Sequence, residues 1–322
     1  MCTMTFSWDR LRLFHSASTT QQYLKKNYRN RQTGQEDADS FNNCVPFIYY
    51  LENGETYYQQ AMHVPLAIQP ILLFYGYVQL IKACLLVVDP AYPSSSALLA
   101  HGVTTRKRKK QHYSFLQDEV KIQRNGLFSH MAEVMFHMKH LDGEKISMKH
   151  LLSEIPEMAP AYSFFRLQKY YPLQEINNRQ YRTPSSLLDS LHKTAEGLQN
   201  YLNKEGQANS YKVQEEKDNL LIYTEKKLSV NRSSPFRFNA SDSTFQISGS
   251  KETRTHRMEE MLIHYLLLYN LSMIARYETE WWLDLLKTAP NEDYPLISQF
   301  LNISLFKGPF LISEFLLEHA QL

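Results

Sequence analysis

Polar and apolar positions along this chain follow a mostly helical pattern. The longest apolar run, PLAIQPILLFYGYVQLIKACLLVVD from Pro65 to Asp89, is apolar around nearly its whole helical circumference. That predicts a central buried helix rather than a one-sided surface one. At ~1.5 Å per residue it can cross a small domain. Upstream, WDRLRLF predicts a short helix with Trp8, Leu11 and Phe14 on one face. A helix over 19–31 follows, in which Tyr23, Leu24 and Tyr28 recur at helical spacing. RNRQTGQEDADS, residues 29–40, reads as a solvated loop, and residues 41–51 lead into a helix over 55–63. Downstream of the apolar run, Asp89-Pro90 and Tyr92-Pro93-Ser94-Ser95-Ser96 form a stop signal.

The alternation in YSFLQDEVKIQ predicts one or two short strands within 113–128, while residues 127–138 fit a strand or a helix. Helices are expected over 149–153, 160–169 and 185–203. Four short β-prone segments at 211–213, 219–224, 236–239 and 244–248 then predict a small antiparallel sheet, inserted at about 211–250. A second strongly apolar helix over 252–277 is followed by helices at 280–287, 294–304 and 309–320. The expected fold class is mainly α, one unit over 1–322. A helical part (1–205) precedes a β-prone insertion (206–250), and C-terminal helices (251–322) pack on the same core.

Composition narrows this picture. Of 322 residues, 43% are hydrophobic and 13% aromatic, which excludes a globally disordered chain. A net charge of +2 does not announce a general nucleic-acid binder. The apolar run has the length of a membrane span, but Gln69, Gln79 and Lys82 interrupt it and no other segment reads as comparable. With a mean hydropathy of −0.44 for the whole chain, the expectation is a core helix and no membrane. Cys2, Cys44 and Cys84 lie far apart, without zinc spacing. The N-terminal residues lack a secretory pattern, so a reducing cytoplasm is expected.

Candidate chemistry is sparse. In Arg124-Asn125-Gly126-Leu127-Phe128-Ser129-His130, an arginine with a polar neighbour precedes a histidine by six residues. An imidazole can move a proton near neutral pH while a guanidinium holds phosphoryl oxygens. Arg257 and His264 repeat the theme on a predicted helix. The plain alternative is a turn at Asn125-Gly126 and an ordinary polar histidine. The basic run Arg106-Lys107-Arg108-Lys109-Lys110, with His112 nearby, suits a phosphate-rich partner or simply a solvated loop. His130, His137, His140 and His150, with Glu133 and Asp142, lack a metal-binding spacing, so no metal is expected. Glu278 and Glu280 beside Trp281 and Trp282 read as helix-start charge with one indole packed inward. There is no phosphate-cradling glycine loop, GxSxG or CxxC, so no cofactor is expected.

Several blocks together carry a resemblance: WDRLRLFHSA (8–17), QPILLFYGYVQLIKACLL (69–86), His101-Gly102, VKIQRNGLF (120–128) and LLLYNLSMIARYETEWW (266–282). In this order they resemble the bacterial YaaC-like family. The resemblance brings no activity and no catalytic residue. As a family tendency it implies IMP dehydrogenase as a protein partner. The long apolar helix and the Arg–His spacings are also similar to HEPN-type helical ribonucleases. That likeness implies an RNA-binding or metal-independent RNA-cleaving alternative, using Arg124, Asn125 and His130 or Arg257 and His264. The leading expectation is a non-catalytic interaction or regulatory protein.

Overall fold

Four helices open the chain: α1 (Cys2–Arg12), α2 (Ala17–Arg29), α3 (Glu36–Ala61) and α4 (Gln69–Val88). The structure is a computed structural model and describes residues 2–29, 34–105, 113–139, 141–167, 169–205, 209–231, 235–249 and 258–321. The chain divides into two compact units, Met1–Lys145 with His264–Leu322, and Ile146–Ile263.

In the first unit α4 is the buried helix expected from the apolar run. Pro70 sits in its first turn, where a missing N–H costs nothing. The helix stops at Asp89, whose N–H still bonds to the Leu85 carbonyl (2.7 Å). Leu73, Phe74, Tyr77, Leu80, Ile81, Cys84 and Leu85 are fully buried. α3 runs antiparallel beside it, and the Tyr57 ring meets that of Tyr75. Glycines bring the two backbones close: a Cβ on Gly54 would stand 2.5 Å from Leu80 Cδ2. α3 is one helix of 26 residues, longer than the 55–63 segment expected from the sequence. Glu36, Asp37 and Asp39 in its first turn favour the start through the helix dipole. The apolar face Cys44, Phe47, Ile48 and Leu51 carries it across Pro46.

Tyr28 of α2 ties these helices together. Its hydroxyl donates to the Leu86 carbonyl (2.6 Å) and accepts from the Asn43 side-chain amide (3.1 Å). Tyr28→Phe is therefore expected to lose about 1–2 kcal/mol, because the buried Leu86 carbonyl loses its hydroxyl donor and the Asn43 amide keeps only the Pro90 carbonyl (2.9 Å). Urea denaturation monitored by circular dichroism reads this directly.

β1 (Val103–Thr105) and β2 (Glu119–Ile122) pair antiparallel with Val103 opposite Ile122, so a strand does occupy the alternating stretch. Residues 127–138, open to either reading, resolve into a helix, α5 (Leu127–Phe136). Beyond β3 (Lys145–Ser147), the second unit holds α6 (Met148–Leu152), α7 (Ala159–Phe164), β4 (Tyr170–Asn177), β5 (Gln180–Pro184), α8 (Ser186–Leu191) and α9 (Ala195–Glu205). It continues with β6 (Tyr211–Glu216), β7 (Asn219–Thr224), β8 (Arg237–Asn239) and β9 (Thr244–Ser248). The β-prone segments are strands as expected. The sheet is larger than the expected insertion, however: six antiparallel strands in the order β6-β7-β5-β4-β9-β8. Tyr181, Leu220, Ile222 and Ile247 alternate onto the face that packs with Leu187 of α8 and Leu198 and Leu202 of α9.

α10 (Glu260–Tyr277), α11 (Thr279–Thr288) and α12 (Asp293–Gln321) complete the chain. Trp282 is the indole packed inward, donating to the Ala67 carbonyl (2.9 Å). The two terminal helices expected at 294–304 and 309–320 are one. Pro309 lies inside α12, whose buried Phe300, Leu301, Leu311, Ile312 and Phe315 hold both halves in register. α12 is also comparable to the first apolar run, contrary to the expectation of a single such segment. Both are long and apolar enough to cross a membrane, and 67% of each window is buried inside the protein.

Candidate functional site

The Arg124–His130 segment enters α5 through a tight backbone turn. Gly126 precedes the helix at φ 131°, and the first helical N–H groups bond to loop carbonyls. Leu127 N–H donates to Ala100 O (2.8 Å) and Phe128 N–H to His101 O (3.2 Å). These bonds satisfy donors that the start of a helix leaves without partners. His130 lies on the first turn and is half-buried. Its Nε2 is 2.8 Å from Oδ2 of Asp89, the residue that ends α4, and Tyr92 stacks on the imidazole at 5.8 Å. Such a carboxylate fixes the ring orientation and favours a proton on Nε2, leaving Nδ1 for other chemistry.

Arg124 takes a different environment. With Asn125, Ser129, Glu133, Lys139 and Asp142 it lines a cavity of about 450 Å³, and His130 is not part of that lining. The structure thus holds the imidazole on Asp89 and Tyr92 and the guanidinium in a groove of mixed charge. His264, the second candidate histidine, is 0% exposed, with Nδ1 3.4 Å from Ser304 Oγ and its ring against Phe300 and Tyr77. Its role in this conformation is core packing. Its proposed partner Arg257 lies outside the described residues, as do Arg106, Lys107, Arg108, Lys109, Lys110, His112 and His140. His137 is exposed at the end of α5, and His150 accepts or donates to the Ser147 hydroxyl that caps α6 (3.0 Å). Among the described residues no three His, Cys, Asp or Glu side chains gather as a metal site.

Spacing alone did not single out the solvent face of α3. Phe41, Val45 and Tyr49, at i, i+4 and i+8, are 70%, 47% and 58% exposed. They form an apolar stripe on the side of α3 turned away from its buried Cys44, Phe47 and Leu51. α3 has no Lys or Arg; of its carboxylates Asp37 and Glu52 are exposed, Asp37 paired with Lys25 of α2, while Glu55 is buried and accepts from Arg12 (3.0 Å). The signal available in the sequence was a helix with apolar residues on two faces, only one of which a single core can cover.

Comparison with known proteins adds one finding. A family model described as YaaC-like Protein matches residues 12–316. Searches of curated proteins and of solved structures return no match. The match covers nearly the whole length, and this chain belongs to the YaaC-like family.

Proposed function

We propose that this chain is a non-catalytic interaction or regulatory protein of the cytoplasm, which docks a protein partner through the Phe41–Val45–Tyr49 stripe of α3. The stripe is the observation that carries this reading. Two large aromatic groups and a valine stand in water at helical spacing. Exposed apolar patches of this kind mark contact sites, and aromatic residues dominate their energetics. The exposed acids argue for the class of partner. RNA phosphates and anionic lipid would meet the carboxylates of Asp37 and Glu52 and no cation of this helix, whereas a protein surface with a basic rim complements it. IMP dehydrogenase, which the family resemblance implies, is the first partner to test. The free, buried thiols of Cys44 and Cys84 are in keeping with a reducing compartment.

The test is capture of partners from native extract, with nuclease present, by the wild-type chain and by Val45→Glu/Tyr49→Glu. One near-stoichiometric protein retained by the wild type and lost by the variant is the expected result. Tyr49→Ala alone should weaken the complex by on the order of 2 kcal/mol, roughly 30-fold in Kd. Equal capture by both chains would end the reading.

A second reading, an RNA-binding or RNA-cleaving protein of HEPN type, draws support from the Asp89–His130 pair. A carboxylate-oriented imidazole is equipped for proton transfer, but Arg124 faces a separate groove, so this reading rests on His130. It predicts RNA cleavage abolished by His130→Ala at unchanged melting temperature. A wild-type chain inactive on RNA would dispose of the cleavage part.

A further inference from the structure

α4 is buried around most of its length, but away from its ends one edge is half-exposed: Tyr75, Gln79 and Lys82, at i, i+4 and i+7. Tyrosines of α3 stand along this edge. The Tyr57 ring lies 6.4 Å from Tyr75, and Lys82 Nζ lies 5.6 Å from the centre of the Tyr50 ring. His101 and α10 complete the cluster. The His101 imidazole is 5.6 Å from Tyr269 and 6.3 Å from Tyr75. The Arg276 guanidinium lies over Tyr75 and Tyr277, at 5.6 and 5.2 Å, and donates to the Tyr75 hydroxyl (3.0 Å).

The charges in this cluster are all of one sign. Burial lowers the His101 pKa, and the positive charges of Arg276 and Lys82 lower it further. Burial likewise lowers that of Lys82. Among the described residues neither Lys82 nor Arg276 forms an ion pair with a carboxylate. The Lys82 ammonium and the Gln79 amide make no hydrogen bond there either. A half-buried cation without a counter-charge destabilises a fold. A bound anion would supply that charge, and the tyrosine faces would hold a flat ring beside it.

We propose that this half-exposed edge binds a phosphorylated planar ligand of the nucleotide class. Its phosphate meets Lys82 beside Tyr50 at one end of the edge, and its ring lies against Tyr57 and Tyr75, beside His101 and Arg276, at the other. The edge from Tyr75 to Lys82 spans ~10 Å at the helical rise, comparable with one nucleotide unit. This inference stands independently of the α3 docking stripe.

The experiment is calorimetric titration and thermal shift of the full chain with four kinds of probe: adenosine and guanosine 5′-monophosphates, the parent nucleosides, inorganic phosphate, and a short single-stranded oligoribonucleotide. A saturable rise in melting temperature with a monophosphate, and at least tenfold weaker binding of nucleoside and of phosphate, is expected. Binding at least tenfold tighter for the oligoribonucleotide would also support the site and place its ligand in an RNA strand. Lys82→Met should weaken the monophosphate at least tenfold. It should also melt no lower than wild type, since it removes an uncompensated charge while keeping the chain length. Phosphate binding as tightly as the monophosphate would overturn the aromatic half of the proposal. No response to any phosphorylated probe, or equal binding by Lys82→Met, would overturn the whole.

Discussion

Gly126→Ala is expected to destabilise the first unit by roughly 3 kcal/mol or more, the sum of a backbone penalty and a steric one. Gly126 has φ 131° and ψ 179°, a region that only glycine enters without strain. A Cβ there would also stand 2.4 Å from Gly102 Cα and 2.5 Å from Gly102 N, atoms of a backbone that cannot rotate away. The two chain segments must therefore separate. Separation breaks the bonds from Leu127 N–H to Ala100 O and from Gln123 N–H to Gly102 O (2.9 Å). It also pulls on His101, whose carbonyl accepts from the buried Tyr265 hydroxyl (2.9 Å). Gly143→Ala is the matched control. Gly143 also has positive φ (81°), but no atom lies within 4 Å of its missing Cβ, so only about 1 kcal/mol is expected. Denaturant titration of both variants measures the difference. Equal losses would mean that the contact between the two glycine loops contributes nothing.

Arg237→Met is expected to cost the second unit about 3–5 kcal/mol, because it leaves buried acids without their cation. Arg237 is 4% exposed on β8. It donates to Glu154 Oε2 (3.1 Å) and to the Met258 carbonyl (2.6 Å), with Glu259 at 4.0 Å. Glu154 is 0% exposed, and Glu157 beside it accepts the Ala240 N–H (2.8 Å). Methionine fills similar volume but returns neither charge nor donors. Limited proteolysis of the variant should therefore cut within 146–263 at protease levels that leave the wild type intact. Unchanged resistance and an unchanged melting profile would contradict this assignment.

Much of the architecture was legible in the chain. The apolar circumference of 65–89 announced α4, and β7 and β9 occupy two of the short segments that β-propensity marked out. β4 and β5 were not legible. Pro172 and the run Gln174-Glu175-Ile176-Asn177 break the apolar pattern, and these strands exist because β9 and β7 supply their ladder partners. Gly308-Pro309 likewise reads as a helix break, but burial on both sides of it keeps α12 continuous. Site residues were harder to read. Spacing placed Arg124 and His130 on one short segment. It did not say that the imidazole faces Asp89 while the guanidinium faces a separate groove. Lys82 read as an interruption of an apolar run, although its surroundings of Tyr50, His101 and Arg276 come from three other segments. Phe41, Val45 and Tyr49 fell in the stretch read as leading into a helix over 55–63, and a sequence does not reveal which apolar face the core leaves uncovered.

Docking of a protein on α3 is tested by photocrosslinking in native extract from a benzophenone amino acid at position 45. The matched control is the same group at exposed position 60, on the same helix but ~22 Å away at the helical rise. One discrete protein adduct from position 45, insensitive to nuclease and absent from position 60, is the predicted result. No protein adduct from position 45, or the same adducts from both positions, would contradict the claim.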